Sequence, residues 1–426
     1  MTDTSPAPDE RILIVDDSPL ICKVVKAALE SVIPLPIDTA ASLAECQALL
    51  LAHAGRYPVA VVDLNLPDAA NGEAVDAALG AGCATIVLTA SLDEKLHESI
   101  TRKPIADYVI KQSPGAFETV QKDVLRLLRN RCRKVLLVDD SASFRMYLKV
   151  LLAAQRLQVI EAENGKAALE LLAQHPDLSL VISDFEMPEM DGVALTARLR
   201  GQHPASRLGV IGLTGSGDTF VGVRFLKAGA NDIVRKPFLA EEFIGRLNNC
   251  LDQLDNIQTI QDQANRDYLT KLHNRRYFFE TAVPLFSSAK RGHIQLAAGM
   301  VDIDFFKRIN DTHGHDIGDK AIVSVARALS AAFRTTDVVA RMGGEEFCVL
   351  LVNAESPVEV FERLRQRIAA IDIPLENGET LRFTGSIGVC ASHGETLEGM
   401  VINADSALYA AKQGGRNRVE LFESAA

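Results

Sequence analysis

What constrains this chain most is that part of it is written twice. The stretch "RILIVDDSPL" at 11–20 returns as "KVLLVDDSAS" at 134–143. In each, an apolar run ends in two aspartates and a serine, and a helical pattern follows. The echo continues with "VVDLNLPD" (61–68) and "ISDFEMPE" (182–189), "VLTAS" (87–91) and "GLTGS" (212–216), "YVIKQ" (108–112) and "IVRKP" (233–237). Four landmarks in one order, at a nearly constant offset, mean two copies of one folding unit. They are expected over 10–130 and 132–250.

Within each copy, short runs of Val, Ile and Leu alternate with amphipathic stretches. Such runs read as strands buried on both faces. Their alternation predicts βα units around a doubly wound parallel sheet. Ligands of such sheets bind at the carboxyl ends of the strands, where Asp16, Asp17, Asp63, Thr89 and Lys111 fall in the first copy. Asp139, Asp140, Asp184, Thr214 and Lys236 fall there in the second. Three acids at one sheet edge repel unless a cation joins them, and oxygen ligands beside a lysine suit Mg²⁺ and a phosphoryl group. An aspartate can itself be the nucleophile and form an acyl phosphate. The threonine hydroxyl and the lysine are placed to meet its oxygens.

After residue 240 the pattern changes. Ile244, Leu247, Leu251 and Leu254 keep helical spacing, and Ile257 and Ile260 continue the stripe imperfectly. One helix is expected to leave the second copy, with 251–266 as a helical linker. Its broad polar face makes contact with a second chain the expectation beyond Leu251. The remainder, 267–426, holds no further copy. A net charge of −11 and a pI near 5.4 argue against a nucleic-acid partner. The seven cysteines contain no CxxC pair, so free thiols in a reducing compartment are expected. The start, "MTDTSPAPDE", has no leader pattern. No apolar run approaches the roughly 18–20 residues of a membrane span. A cytoplasmic protein without membrane insertion is expected.

The last segment carries its own acids. In "VVARMGGEEFCVLL" (338–351), two β-rich runs flank Gly343 and Gly344. A hairpin turn is expected at the glycines, which accept positive φ, with Glu345 and Glu346 opening the outgoing strand. Upstream, in "VDIDFFKRINDTHGHDIGD" (301–319), Asp302 and Asp304 end an apolar run and share a strand face. Were that strand beside the hairpin, a divalent metal shared by Asp302 and Glu345 would offset their repulsion and fit nucleotide chemistry. Lys307 is available to phosphates. Asn310, His315 and Asp319 offer hydrogen-bonding groups suited to reading guanine. By spacing alone, "RTTD" (334–337) is a surface Arg–Asp pair of little energetic weight.

The two copies resemble the receiver domains of two-component response regulators, flavodoxin-like in fold. The resemblance implies phosphotransfer from a histidine kinase, or a phosphotransfer protein, to Asp63 or Asp184. It implies Mg²⁺ on Asp17, Asp63 and the Asn65 carbonyl, and on Asp140, Asp184 and the Glu186 carbonyl. The first copy has Gln112 where the family usually has proline, and the second has Ile233 where an aromatic is common. The third segment resembles the GGDEF family of diguanylate cyclases. The resemblance rests on "DYLTKLHNRR" (267–276), "VDIDFFKRINDTHGHDIGD", "RMGGEEF", "GSIGV" (385–389) and "ADSALYAAKQGGRNR" (404–418), in family order. It implies an α/β domain with a mixed, largely antiparallel sheet that joins two GTP into cyclic di-GMP across a homodimer. Mg²⁺ (or Mn²⁺) would lie on Asp302, the Ile303 carbonyl and Glu345, with Glu346 assisting the metal or the deprotonation. Asn310, His315 and Asp319 would surround guanine and ribose, and Lys307, Lys412 and Arg416 the triphosphate. Arg334, Asp337 and Arg365 would form an inhibitory site for the product. Degenerate members of the family act as silent GTP or cyclic di-GMP sensors, but they usually lose acids or glycines that are all present here.

Overall fold

The computed structural model describes residues 9–423 except 91–99, 101, 216–218, 376–377 and 393. The first eight residues of the stretch read for a leader, Ser91, Ser216 and the last three residues lie outside the described residues. The chain divides into two compact units, Met1–Gln258 and Thr259–Ala426.

The first unit holds two five-stranded parallel sheets. Strands β1 (Ile12–Val15), β2 (Ile37–Ala40), β3 (Val59–Asp63), β4 (Ala84–Thr89) and β5 (Asp107–Ile110) lie in the order β2-β1-β3-β4-β5. Helices α1 (Pro19–Glu30), α2 (Leu43–Ala52), α3 (Glu73–Gly80) and α4 (Ala116–Asn130) follow strands of this sheet. The side chains divide by strand alternation. Ile12, Ile14, Val59 and Val61 join one core layer, and Leu13, Val15, Ala60 and Val62 the layer on the opposite face. A strand buried on both faces cannot alternate with polar residues, which is why β1 and β3 read as unbroken apolar runs.

The second copy repeats this. Strands β6 (Lys134–Val138), β7 (Gln158–Ala162), β8 (Leu178–Asp184), β9 (Gly209–Thr214) and β10 (Asp232–Arg235) lie in the order β10-β9-β8-β6-β7. Its helices are α5 (Ala142–Ala154), α6 (Gly165–Gln174), α7 (Gly192–Arg200), α8 (Thr219–Lys227) and α9 (Ala240–Asn265). In α9, Phe243, Leu247, Cys250, Leu251 and Leu254 are buried, each large apolar side chain contributing about 1.5–3 kcal/mol. Ile260 is exposed.

Polar contacts join the two copies. Arg126 on α4 pairs with Asp252 on α9 at 3.2 Å, and Arg129 pairs with Asp255 at 3.0 Å. Gln155, just after α5, donates to the Ala106 carbonyl at 2.6 Å.

The second unit is built on one mixed sheet. Strands β11 (His273–Asn274), β12 (Leu296–Ile303), β13 (Val338–Gly343), β14 (Glu346–Val352), β17 (Gly385–Cys390) and β18 (Val419–Leu421) lie in the order β11-β13-β14-β12-β17-β18. β15 (Asp372–Pro374) and β16 (Thr380–Arg382) form a separate hairpin. The helices are α10 (Arg275–Lys290), α11 (Phe306–His313), α12 (His315–Ala332), α13 (Pro357–Ala369) and α14 (Leu397–Gln413). β12 runs antiparallel to both β14 and β17, so the strand bearing Asp302 sits in the middle of the sheet. Gly388 on β17 lets α14 press against the sheet, since a Cβ there would lie 2.0 Å from the Leu408 nitrogen. No helix among the described residues is long and apolar enough to cross a membrane.

Candidate functional site

Each parallel sheet gathers its acids at the carboxyl edge. Carboxylate oxygens of Asp16, Asp17 and Asp63 lie within 4.8 Å of one another, and so do those of Asp139, Asp140 and Asp184. The local architecture is the same in both. Asp16 accepts the Ser18 N–H at 2.9 Å and Asp139 the Ser141 N–H at 2.9 Å. Ser18 and Ser141 then cap α1 and α5. Thr89 and Thr214 end their strands buried, and their carbonyls accept the N–H of Lys111 and Lys236 at 2.8 and 2.7 Å. That backbone pairing swings each lysine over its acids. Lys111 Nζ lies 2.6 Å from both Asp16 and Asp63, and Lys236 Nζ lies 2.9 Å from Asp139 and 3.0 Å from Asp184.

Burial pushes the Asp63 and Asp184 carboxyls up, and the lysines pull them back down. Three clustered acids with one lysine leave an excess of negative charge, so the donor set fits a hard, oxygen-loving divalent cation. Asn65 lies at this edge and donates its N–H to Asp63 at 3.3 Å, and Glu186 is exposed.

In the second unit, β12 and β14 put Asp302 directly across from Glu346. The hairpin differs from the sequence expectation by one residue. Gly343 ends β13, Gly344 and Glu345 form the two-residue turn, and only Glu346 opens β14. The cause is a register shift between Arg341 and Gly343, where Met342 is the extra residue of a bulge. Gly344 takes φ +52°, and a Cβ at either glycine would meet nothing within 4 Å, so the space above the turn is open. Glu345 therefore stands at the apex of the turn.

Arg341 is a residue that the sequence reading missed. Its guanidinium donates to the Gly344 carbonyl at 2.9 and 2.7 Å and to Asp267 at 2.9 and 3.1 Å. It thus ties the turn to the opening of the domain. Burial pushes Asp267 up, but hydrogen bonds from Thr270 and Arg341 hold its carboxyl below the ordinary range. The only signal in sequence was an arginine two residues before a glycine pair, which by itself reads as solvated.

Burial raises the Asp302 carboxyl to about 6; Lys412 opposes this, and the Glu345 and Glu346 charges add to it. Lys412, near the end of α14, pairs with Asp302 at 2.8 Å. A buried acid held in check by one lysine, with two glutamates nearby, again suits a divalent cation. Ile303 ends β12 beside it. Lys307 is exposed on α11 and His315 exposed at the start of α12. Asn310 has a buried Oδ1 without a hydrogen-bond partner, packed where a Gly318 Cβ would be 1.9 Å away. Exposed Asp319 is the next residue. Arg416 lies over the Phe305 ring at 4.3 Å.

The "RTTD" stretch borders a cavity of about 460 Å³ whose walls include Arg334, Asp337, Glu359 and Arg363. Asp337 accepts the backbone N–H of Arg334 at 3.0 Å and of Val352 at 3.1 Å, which makes it a turn-former. Arg365 is not on that wall. It pairs with Glu362 at 2.6 Å and donates to Asn417 Oδ1 at 2.5 Å. Two residues apart on α13, Arg363 and Arg365 project to opposite sides, about 200° apart at 3.6 residues per turn. Arg363 thus lines this cavity, while Arg365, expected at the inhibitory site, faces Glu362 and Asn417.

Comparison with known proteins follows the same division. The response regulator receiver domain family matches residues 135–248, and the family described as "Diguanylate cyclase, GGDEF domain" matches residues 264–418. The response regulator PleD of Caulobacter vibrioides is 34% identical over 298 residues, covering 67% of this chain and 65% of PleD. The chain thus spans just under two thirds of that relative. The diguanylate cyclase DosC of Escherichia coli is 33% identical over 195 residues, covering 44% of this chain and 42% of DosC. A solved two-component response regulator/GGDEF domain protein is 37% identical with a TM-score of 0.53, covering 58% of this chain and 99% of that one. With one receiver match, one GGDEF match and this likeness in both sequence and fold, the chain belongs to the response regulators that join a receiver domain to a GGDEF domain.

Proposed function

We propose that this chain is a phosphorylation-controlled diguanylate cyclase that condenses two GTP into cyclic di-GMP and two pyrophosphates. The observation that carries the reading is the acid pair of Asp302 and Glu346 across β12 and β14, with Glu345 on an open two-residue turn beside them. In each of two equivalent steps, the 3′-oxygen of one GTP attacks the α-phosphorus of the other. A new P–O bond forms, the α–β phosphoanhydride breaks, and the hydroxyl proton leaves.

Asp302, the Ile303 carbonyl and Glu345 would hold Mg²⁺ or Mn²⁺, which supplies charge stabilisation at the triphosphate when bound. Glu346 is available to take the hydroxyl proton. Lys412, freed from Asp302, joins Lys307 and Arg416 on the phosphates, while Asn310, His315 and Asp319 hold guanine and ribose. Positioning and electrostatics carry the rate. One domain holds one GTP, so turnover needs a second copy of the chain. The first copy, 10–130, is read as a second receiver, with 132–250 the other and 251–266 linking to the cyclase domain at 267–426. A histidine kinase or phosphotransfer protein would load Asp63 or Asp184, and the α9 helix would bring two cyclase domains together. Product bound at Arg334, Asp337 and Arg365 would inhibit.

The test uses the full chain with GTP and Mg²⁺. Cyclic di-GMP should form, with turnover per subunit falling on dilution and rising with beryllium fluoride. Glu345→Gln should lose about a hundredfold or more. Absence of product, or a rate per subunit indifferent to dilution, overturns the reading.

A further inference from the structure

The second aspartate of "DID" is not used by the proposed chemistry, yet it is among the most constrained side chains in the second unit. Asp304 is 3% exposed. Its Oδ1 accepts the Ser386 hydroxyl at 2.7 Å, and its Oδ2 accepts the Thr384 hydroxyl at 2.6 Å and the Asn417 N–H at 3.0 Å. Its own N–H donates to the Thr384 carbonyl at 2.9 Å. A buried carboxylate satisfied this fully is short of neither partners nor charge-assisted bonds.

The residue it reaches across the fold is the informative one. Arg416 and Asn417 both sit in the left-handed region, at φ +64° and +48°. Two consecutive non-glycine residues in that region persist only where the surroundings over-determine them. Here the surroundings do so. Asp304 takes the Asn417 N–H, Arg365 donates to the Asn417 side chain, and Arg416 N–H donates to the Ala411 carbonyl at 3.0 Å. Phe305, next to Asp304, is itself at φ +56° and lies under the Arg416 guanidinium. The backbone of the turn and the side chain of Arg416 are thus both held by the two-residue step that follows β12.

We propose that Asp304 is a positioning residue that aims Arg416 at the nucleotide's phosphates, an inference that rests on the cyclase reading above. The adjacent acids then divide the labour. Asp302 faces Lys412 and the metal, and Asp304 turns away to fix the arginine that closes on the same triphosphate. Arg365 is the outer brace of the same turn.

The experiment is a double-variant cycle in the full chain, with GTP and Mg²⁺. Asp304→Asn keeps shape but sets an amide N–H₂ among hydroxyl and amide donors. The KM for GTP should rise about tenfold with kcat within about threefold, and Arg416→Ala should do the same. The double variant should be no worse than either single one, because both remove the same contact. Losses that multiply to about a hundredfold, or a fall in kcat at unchanged KM, overturn the positioning role. Should Asp304→Asn fail to fold, exposed Asn417 decides. Asn417→Val, which disfavours the left-handed backbone, should reproduce the KM rise, and Asn417→Gly should not. Equal behaviour of those two variants overturns the proposal. A wild-type chain that makes no cyclic di-GMP instead removes the cyclase reading, so the two failures are distinguishable.

Discussion

The two parallel-sheet copies have the same acids, the same capping serines and the same lysine, but they brace that edge with different atoms. Six residues after the first aspartate, the first copy has Cys22 and the second Arg145. Both donate to the same backbone carbonyl. Cys22 Sγ meets the Asp16 oxygen at 3.3 Å, and Arg145 Nη1 meets the Asp139 oxygen at 2.6 Å. Arg145 also lies 3.4 Å from Glu161. The second copy therefore has a fixed cation behind its acid cluster, whereas the first has a weak neutral donor. The lysines differ too. Lys236 packs on the Phe144 ring at 4.0 Å, and the matching position in the first copy is Ile21. A third difference lies between the copies. Counted from the lysine, Asp123 of the first copy corresponds to Asn248 of the second. Both are buried, and each has an oxygen without a hydrogen-bond partner. Only Asp123 carries a charge there, and burial raises its carboxyl to about 6. The lesson is that the duplicated edge keeps its acids, serine and lysine while the shell that supports them drifts.

The largest expected effect tests whether that drift has functional weight. With Asp184→Asn, activation of the cyclase by a small-molecule phosphoryl donor should be lost, while Asp63→Asn should retain most of it. The reason is that α9, which leaves the second copy, is the chain's route onward. Activation that survives Asp184→Asn and vanishes with Asp63→Asn would reverse the ranking of the copies. Next comes stability. Arg145→Leu strips a charged, mostly buried donor from the Asp139 carbonyl and should cost about 2–3 kcal/mol in urea unfolding, against about 0.5–1 kcal/mol for Cys22→Ala. Equal losses would mean that the two braces are equivalent.

The smallest effect concerns Asp123. Its folded pKa lies above the ordinary carboxyl value, so the native state binds the proton more tightly than the unfolded chain. The cost of the charge is present in full above pH 6 and is relieved as pH falls through about 6 towards 4. Asp123→Asn, which copies the second domain's choice, should stabilise by about 1–2 kcal/mol at pH 8 and by nothing measurable near pH 4. Arg126 keeps Asp252 as a partner in that variant. A gain independent of pH would show that the charge is not the source.

Much of this was legible in the chain. Strands such as Ile12–Val15 and Val59–Asp63 announce themselves because a strand covered on both faces has no polar positions to interrupt it. The acids at their ends follow from the rule that parallel sheets present ligand sites at one edge. What failed to show was anything set by register or by helical phase. The glycine pair was read as the turn, but a bulge at Met342 moves the turn forward and lifts Glu345 to its apex. Nor did the pattern show that the phase of α13 puts Arg363, and not Arg365, on the cavity beside Arg334 and Asp337. Both features turn on one or two residues, the scale at which local pattern carries no information and packing decides.

The sequence alone determined the duplication, the alternation of elements, the acids of all three sites and the family motifs, since composition and period are properties of the chain itself. Tertiary structure alone decided which atoms those residues meet. Asp302 across from Glu346, Arg341 braced on Asp267, and Asp304 reaching Asn417 are contacts between segments far apart along the chain. Such contacts exist only once the sheet has closed, because the free energy that orders them comes from burying the strands and not from the side chains that make them.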